Sequence, residues 1–286
     1  SFQLESVDSF DPLISLILNI SPDHLDRYKT YKEYAYQKEK IILSNQKGYN
    51  IVSIDHKKTY ELYKKYKKKI IPISNRYLAN GVYFKDNCII DNYFKKKNKI
   101  KLVKLSSSLF GSFNIENILA AYVVIKILKI NISIFKQTLK NFSGLPHRLE
   151  KIYANKNLQV INNSKATNVD SSIKSICNFN NINLILGGRA KEKNFKKINI
   201  YKNRINKIYI VGESAKLIFK QLNKNTKCEI FDNIENAMKK ILLDIKLKSE
   251  FQTILFSPAC TSYDQYNNFE ERGNFFKKII KKLIHV

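Results

Sequence analysis

From Leu158 onward the chain repeats one pattern: a short apolar run, a loop bearing polar residues or Gly, then an amphipathic run of helical period. It is visible in LQVINNSKATN with the Val169, Ile173, Ile176 series, in LILGGRAK, in IYIVGESAKLIFKQL, in CEIF followed by residues 234–243, and in TILFSPACTSYDQYNNFEERGNFFKKIIKKL. Strands that alternate with helices pair in parallel through right-handed crossovers. All loops leaving a strand for a helix then share one edge of the sheet, the edge at which open α/β sheets bind ligands. NNSKATN, GGRAK and SPACTSYDQY are predicted to converge there, although they are far apart in the chain.

These loops would gather Lys165, Thr167, Lys191, Ser262 and the backbone amides around Phe269, with Asp264 as the one acid. Cations and donors without a nucleophile–base pair suit a small dicarboxylate. An ordinary capped turn, with Thr167 or Asn168 as N-cap, is the alternative reading of NNSKATN. The sequence holds no GxGxxG, no Ser-His-Asp logic and no GxxxxGK[ST] pattern, which argues against a dinucleotide oxidoreductase or a triad hydrolase.

Upstream, residues 1–5 (SFQLE) and 13–20 read as buried strands. The run ILNISPDHLDRY ends the second in a polar turn, where His24 with Asp23 and Asp26 is either a metal site or a cap. Residues 30–45 have a helical pattern carrying Lys38. Short strands are expected at 50–54, 69–73, 82–84, 88–90 and 100–103, with a basic helix at 56–67 and a charged hairpin turn at 95–101. A helix over 114–128 places Asn114 and Asn117 one turn apart on one face. A second helix over 132–142 leads to Gly144-Leu145-Pro146, a hinge and the expected domain boundary.

Net charge is +27, which ordinarily points to nucleic acid. Yet only six of the 51 Lys and Arg are Arg, and the 45 Lys are spread among abundant Asn, Ile, Tyr and Phe. That is a composition bias of the whole sequence rather than a patch, and no nucleic-acid reading motif accompanies it. Gly (8) and Pro (5) are scarce for the same reason. Residues kept against the bias are expected to be needed. Three of the five Pro fall in SPDH, LPHR and SPAC, and three of the six Arg in DHLDRY, PHR and ERG. Four scattered Cys fit reduced cytosolic thiols better than disulfides or zinc. No apolar run reaches the ~20 residues of a membrane span, and no export signal is visible, so a cytoplasmic protein is expected.

In this order, SFQLE, ILNISPDHLDRY, GLPHRLE, INNSKATN, LILGG and SPACTSYDQYNNFEERG resemble the Mur ligase family along essentially the whole chain. They are most similar to its members that add D-glutamate. The resemblance implies an α/β chain. Residues 1–144 would be the remainder of a central ATPase domain without its P-loop part. Residues 145–286 would be a Rossmann-like carboxyl-terminal domain with a mostly parallel sheet, binding D-glutamate. The chain, beginning at Ser1, is expected to be the later part of a longer protein and to show no turnover by itself.

The activity implied is ligation of D-glutamate to UDP-N-acetylmuramoyl-L-alanine, with ATP hydrolysed to ADP through an acyl phosphate and with Mg²⁺ as cofactor. A monomer without membrane or nucleic-acid partners is expected. A basic nucleic-acid-binding protein is the alternative. By resemblance, His24 is a metal-site residue and Lys38 a carbamylated Lys supporting Mg²⁺. Asn114 and Asn117 would lie at adenine, and Arg148 and Asn163 at the ribose and phosphates. Thr167, Lys191, Ser262, Tyr263 and Phe269 would form the D-glutamate site, with Lys165 supporting it. Phe113 stands where the family usually has His, Asn163 where it has Asp, and Arg189-Ala190 where it has a small or acidic pair.

Overall fold

Apolar runs rich in Ile and Val build the first sheet, and helices cover both its faces. The computed structural model describes residues 2–7, 10–22, 27–94, 98–102, 105–109 and 111–284. The chain divides into two compact units, Ser1–Ser143 and Gly144–Val286. In the first unit the described elements are α1 (Phe2–Glu5), β1 (Ile14–Ile17), α2 (Tyr31–Ser44), β2 (Tyr49–Ser53), α3 (Lys57–Tyr66), β3 (Ile70–Ser74), β4 (Val82–Lys85), β5 (Cys88–Asp91), β6 (Asn98–Lys101), α4 (Ser112–Ile127) and α5 (Ile132–Asn141). The six strands follow one another in sequence order across the sheet. The first four are parallel, and β4, β5 and β6 form an antiparallel meander.

Period-two alternation sorts the side chains. On β2, Ile51 packs with Leu119, Tyr122 and Val123 of α4, whereas the next residue, Val52, packs with Tyr34, Ala35 and Ile42 of α2 and Leu62 of α3. The helix over 30–45 starts where the sequence places it. Thr30 caps α2 by accepting from the Glu33 N–H, which satisfies one orphan donor of the first turn.

The strand expected at SFQLE is a correction: Phe2–Glu5 is one helical turn. Alternating apolar residues make a strand only where a ladder partner exists, and the only strand paired with β1 among the described residues is β2. The turn instead stacks Phe2 on Tyr28, places the Arg27 guanidinium over the Phe2 ring at 4.9 Å, and pairs Arg27 with Glu5 at 2.6 Å. The expected strand at 100–103 is shifted to β6, and residues 95–97 of the expected hairpin turn lie outside the described residues.

The second unit holds β7 (Glu150–Ala154), β8 (Leu158–Asn162), α6 (Val169–Ile176), β9 (Ile182–Gly187), β10 (Ile205–Val211), α7 (Ala215–Leu222), β11 (Cys228–Ile230), α8 (Ile234–Ile245), β12 (Gln252–Phe256) and α9 (Phe269–Ile284). Two short 3₁₀ turns within Lys196–Arg204, separated by a kink at Tyr201 and not announced by the sequence pattern, precede β10. The sheet order is β11-β10-β9-β12-β8-β7, parallel except for the antiparallel edge strand β7. The last strand, β12, is inserted between β8 and β9, with Phe256 level with Asn162 on one side and Ile185 on the other. One face is sealed by α8 and α9, where Met238, Ile241, Phe276 and Ile280 meet Ile185, Tyr209, Ile254 and Phe256. No helix among the described residues is long and apolar enough to cross a membrane.

One buried polar contact ties the first unit's sheet to its covering helix. Tyr122 on α4 is 1% exposed and donates its hydroxyl to Asp91 Oδ2 at 2.8 Å, at the end of β5. The other oxygen, Oδ1, accepts the Tyr93 and Phe94 N–H groups. Burial, followed by the Asp91 carboxylate, pushes the Tyr122 phenol well above its ordinary pKa, so it remains a donor. Tyr122→Phe removes only the donor and leaves a fully buried carboxylate oxygen short of a partner. Urea unfolding should show a loss of about 1.5–3 kcal/mol in this unit; a loss below about 0.5 kcal/mol would show that the contact contributes little.

Candidate functional site

The register of β8, β12 and β9 puts three strand ends side by side, and the loop leaving each carries its polar residues to the same place. Gly187 N–H donates to Pro258 O at 2.9 Å. Arg189 and Thr261 exchange backbone hydrogen bonds at 3.1 and 2.9 Å. The Val169 N–H, at the start of α6, donates to Glu192 Oε1 at 3.2 Å, which joins the NNSKATN loop to the far end of GGRAKE. The predicted convergence of the three loops is therefore present.

A fourth loop joins them. Ser214 N–H donates to Gly188 O at 3.0 Å, Ser214 Oγ accepts from Ala190 N–H at 2.9 Å, and Asp264 Oδ2 accepts from Glu213 N–H at 3.0 Å. The sequence pattern marks GES as a strand-to-helix loop but singles out no residue in it. Gly188 is needed for this closeness: at φ +130°, a Cβ there would stand 2.2 Å from Thr261 O.

At the centre lies Arg272 on α9, 2% exposed. Its Nε donates to Ser164 Oγ at 3.0 Å, Nη1 to Thr261 O at 3.0 Å, and Nη2 to Ser164 O at 2.8 Å and Cys260 O at 3.1 Å. Ser164 Oγ in turn donates to Phe269 O at 2.8 Å. Burial holds the Arg272 guanidinium down to about 10, still a cation at neutral pH. Site reasoning from motifs omits Arg272, yet the scarcity of Arg in the chain flags it.

The predicted residues fall as follows. Lys165 and Phe269 are brought together, with the ammonium 3.7 Å from the ring centroid. Burial, then the neighbouring Arg148, lowers the Lys165 pKa from its ordinary value. Thr167 is half-buried and Asn168, not Thr167, caps α6 by accepting from Ser171 N–H. Lys191 is half-buried on the loop after β9. Ser262 is 2% exposed and follows directly on Cys260 and Thr261, while Tyr263 is 63% exposed. Arg148 is exposed beside Lys165.

Asn163 is buried. Its Oδ1 accepts from Leu149 N–H at 3.2 Å, and its amide donates to Ser175 Oγ at 2.5 Å and Ser257 Oγ at 3.2 Å. Arg189 pairs with Glu213 at 2.9 Å across two loops.

In the first unit, Asn117 donates to Asn114 Oδ1 at 3.1 Å, so the two stand together on α4. Phe113 lies in the same helix. Between them in sequence, Glu116 meets His56 Nε2 at 3.1 Å, a contact that motif reasoning missed. Lys38 is half-buried on α2 with its Nζ 5.3 Å from the Tyr34 ring centroid. As an ammonium it offers a metal nothing; only a carbamate would make it an oxygen donor. His24 lies outside the described residues. Among the described residues no group of three His, Cys, Asp or Glu could hold a metal. Of the two residues expected at an Mg²⁺ site, Lys38 alone lies among the described residues.

His147 organises the turn that feeds the site. It is 4% exposed, at φ +62°, and its Nδ1 lies 3.0 Å from Asn162 Nδ2. Its carbonyl accepts the Lys165 N–H at 3.1 Å, and its ring meets Phe269 edge-on. Gly273 leaves room for it, since a Cβ there would lie 2.2 Å from Nδ1. Burial, and next Lys277, lowers the His147 pKa; Glu150 and Glu270 oppose them.

Residues 1–125 match the model of the Mur ligase middle domain. The chain is 38% identical over 99% of its length to the UDP-N-acetylmuramoylalanine–D-glutamate ligase of Rickettsia prowazekii, covering 64% of that protein. It is 35% identical over 99% of its length to the enzyme of the same name from Caldanaerobacter subterraneus, covering 63%. It thus spans a little under two thirds of these relatives. Its fold is that of the MurF ligase of Thermotoga maritima solved with ADP (TM-score 0.66, 17% identity, 95% of this chain and 63% of that one). The folylpolyglutamate synthase of Mycobacterium tuberculosis is also similar (TM-score 0.66, 10% identity, 93% and 64%).

The lowered His147 pKa fixes the sign of a pH effect. Below the unfolded value near 6.5, the unfolded chain takes up a proton that the buried imidazole resists, so stability falls as pH drops and the loss is complete below the folded pKa. Urea midpoints taken from about pH 7 to pH 5 should fall more steeply for the native protein than for His147→Asn, which tolerates positive φ and does not titrate. Equal slopes would show that His147 does not carry the effect.

Proposed function

The chain belongs to the Mur ligase family, and from that premise we propose that it serves the D-glutamate-adding reaction of peptidoglycan synthesis. In that reaction the γ-phosphoryl group of ATP passes to the L-alanine carboxylate of UDP-N-acetylmuramoyl-L-alanine, and ADP departs. The D-glutamate amine then attacks the acyl carbon, phosphate leaves, and the amine nitrogen loses its proton as the amide forms. The observation that carries the proposal is the single sheet edge on which Lys165, Thr167, Lys191, Ser262 and Phe269 are gathered by loops that hydrogen-bond to one another. It occurs in a chain 38% identical to a ligase of that name.

Lys191 and Thr167 would hold the α-carboxylate of D-glutamate. Ser262 and the Phe269 amide would hold its side-chain carboxylate, with Tyr263 at the rim. Cations fixed in a dry site stabilise the charge that builds on the acyl phosphate and the tetrahedral carbon. Lys165, whose ammonium rests on the Phe269 ring, would serve that role. Asn114 and Asn117 would take the adenine. Arg148 would take the phosphates, and Asn163 would act through the turn that it holds at Leu149. Mg²⁺ supplies Lewis-acid charge stabilisation when bound, and His24 with a carbamylated Lys38 would hold it. The other reading, a basic nucleic-acid-binding protein, draws no support from the relatives.

ADP release that depends on both D-glutamate and the UDP-linked substrate, in protein of the relatives' full length, is the direct test; its absence in folded protein would sink the proposal. Loss of a charged hydrogen-bond partner costs roughly 1.5–3 kcal/mol. Lys191→Ala should therefore raise the D-glutamate KM about 10- to 100-fold and leave that of ATP nearly unchanged. An equal rise in both would contradict the assignment.

A carbamate forms on a neutral amine and converts a cation into a hard oxygen donor. Lys38→Ala should accordingly lose nearly all turnover and regain part of it with a short added carboxylic acid. Near-normal turnover without the additive would remove the role.

A further inference from the structure

Arg272 is a buried cation whose hydrogen-bond acceptors are all neutral. They are Ser164 Oγ, Ser164 O, Thr261 O and Cys260 O, at 2.8–3.1 Å. Buried charges are ordinarily paired with an opposite charge, because desolvation is otherwise costly; here Asp264 acts on the guanidinium through space without a hydrogen bond, and burial outweighs it. An apolar side chain would avoid that cost, so the guanidinium must do something that an apolar filler cannot. What it does geometrically is plain from its partners. Ser164 immediately precedes Lys165 and lies three residues before Thr167. Thr261 immediately precedes Ser262. Ser164 Oγ passes the same connection to Phe269 O at 2.8 Å, at the first turn of α9. Gly188, on the loop leading to Lys191, packs so closely that a Cβ there would lie 3.1 Å from Arg272 Nη1.

We infer that Arg272 is a positioning residue that fixes the distance between the two carboxylate subsites, and so sets the chain length of dicarboxylate that the site accepts. The inference rests on the D-glutamate reading above, in which one carboxylate is taken on the NNSKATN and GGRAK side and the other on the SPACTS and Phe269 side. A planar guanidinium projects its donors in a fixed fork, so the loops it bridges are held at one separation. A lysine would bring the same charge but no fork, and could not span Ser164, Cys260 and Thr261 in a fixed geometry. With the span fixed, a ligand one methylene shorter or longer cannot place both carboxylates at once, and one charged contact is lost. With the span loosened, the correct ligand loses its advantage over the wrong ones.

The test compares D-glutamate, D-aspartate and D-2-aminoadipate as acceptors in ADP-release kinetics, using protein of the relatives' full length. In Arg272→Lys, the D-glutamate KM should rise at least about 10-fold, as expected for loss of a charged contact. The kcat/KM preference for D-glutamate over both homologues should fall by a similar factor, with the ATP KM within about twofold of the native value. A merely structural role would lower kcat/KM for all three acceptors together and leave the preference intact, and that result in folded variant protein overturns the inference. Ser164→Ala removes the Nε acceptor and the link to Phe269 while keeping the guanidinium. It should shift the preference in the same direction by a few-fold, and its preference decides the matter if Arg272→Lys does not fold. Native protein that releases no ADP in response to D-glutamate overturns the underlying reading and this inference with it. Native protein that responds to D-glutamate, with variants of unchanged preference, overturns this inference alone.

Discussion

The second unit depends on where one strand pairs. The last strand enters between β8 and β9, so the carboxyl ends of β8, β12 and β9 are neighbours. Adjacent strands lie about 4.8 Å apart. At that spacing the loops after β9 and β12 lie against each other and bond through Gly187, Arg189 and Thr261, and Ser214 of the loop after β10 joins them. Had β12 added at the outside of β11, the SPAC loop would sit several strands away, and Arg272 could not reach Ser164.

Such crowding leaves little room for side chains. Gly188 and Gly273 are sites where a Cβ would collide with Thr261 O and His147 Nδ1. Ala259 and His147 adopt positive φ, an unusual conformation for residues other than Gly, in the two segments that approach α9. Strain of this kind persists where the surrounding contacts over-determine it. Around His147 those contacts are Asn162, Glu150, Phe269 and the Lys165 amide. The same packing explains why Asn163 is so thoroughly engaged: it joins Leu149, Ser175 and Ser257, one from each of the segments that meet beneath the loops.

The high positive charge sits lightly on this architecture. Several Lys are neutralised locally by acids on neighbouring elements, as Lys65 by Glu39, Lys207 by Glu229 and Asp244, and Lys277 by Glu150. Arg189, a further cation near the loops, is likewise met by Glu213. Most such pairs are solvent-exposed and contribute little to stability. Their effect is to let a Lys-rich composition coexist with a cationic site whose own charges, Lys165 and Arg272, are partly or wholly removed from water.

Local rules decided much of this protein in advance. The helical period and the cap at Thr30, the paired Asn114 and Asn117, the alternating strand and helix pattern of the second half, and the three loops on one edge all follow from residue spacing and from the handedness of crossovers. Those features depend on neighbours a few residues apart, or on a chirality that every L-chain shares. The place of β12 between β8 and β9, the helical turn at Phe2–Glu5 and the burial of Arg272 were settled only by tertiary structure. A strand's partner is chosen by surfaces distant in sequence. A run such as SFQLE becomes strand or helix according to whether a ladder awaits it. Arginine in a polar segment looks like any solvated cation until the carbonyls of two remote loops close around it. Composition alone hinted at that last case, since a chain with six Arg among 51 basic residues carries one of them at this buried position.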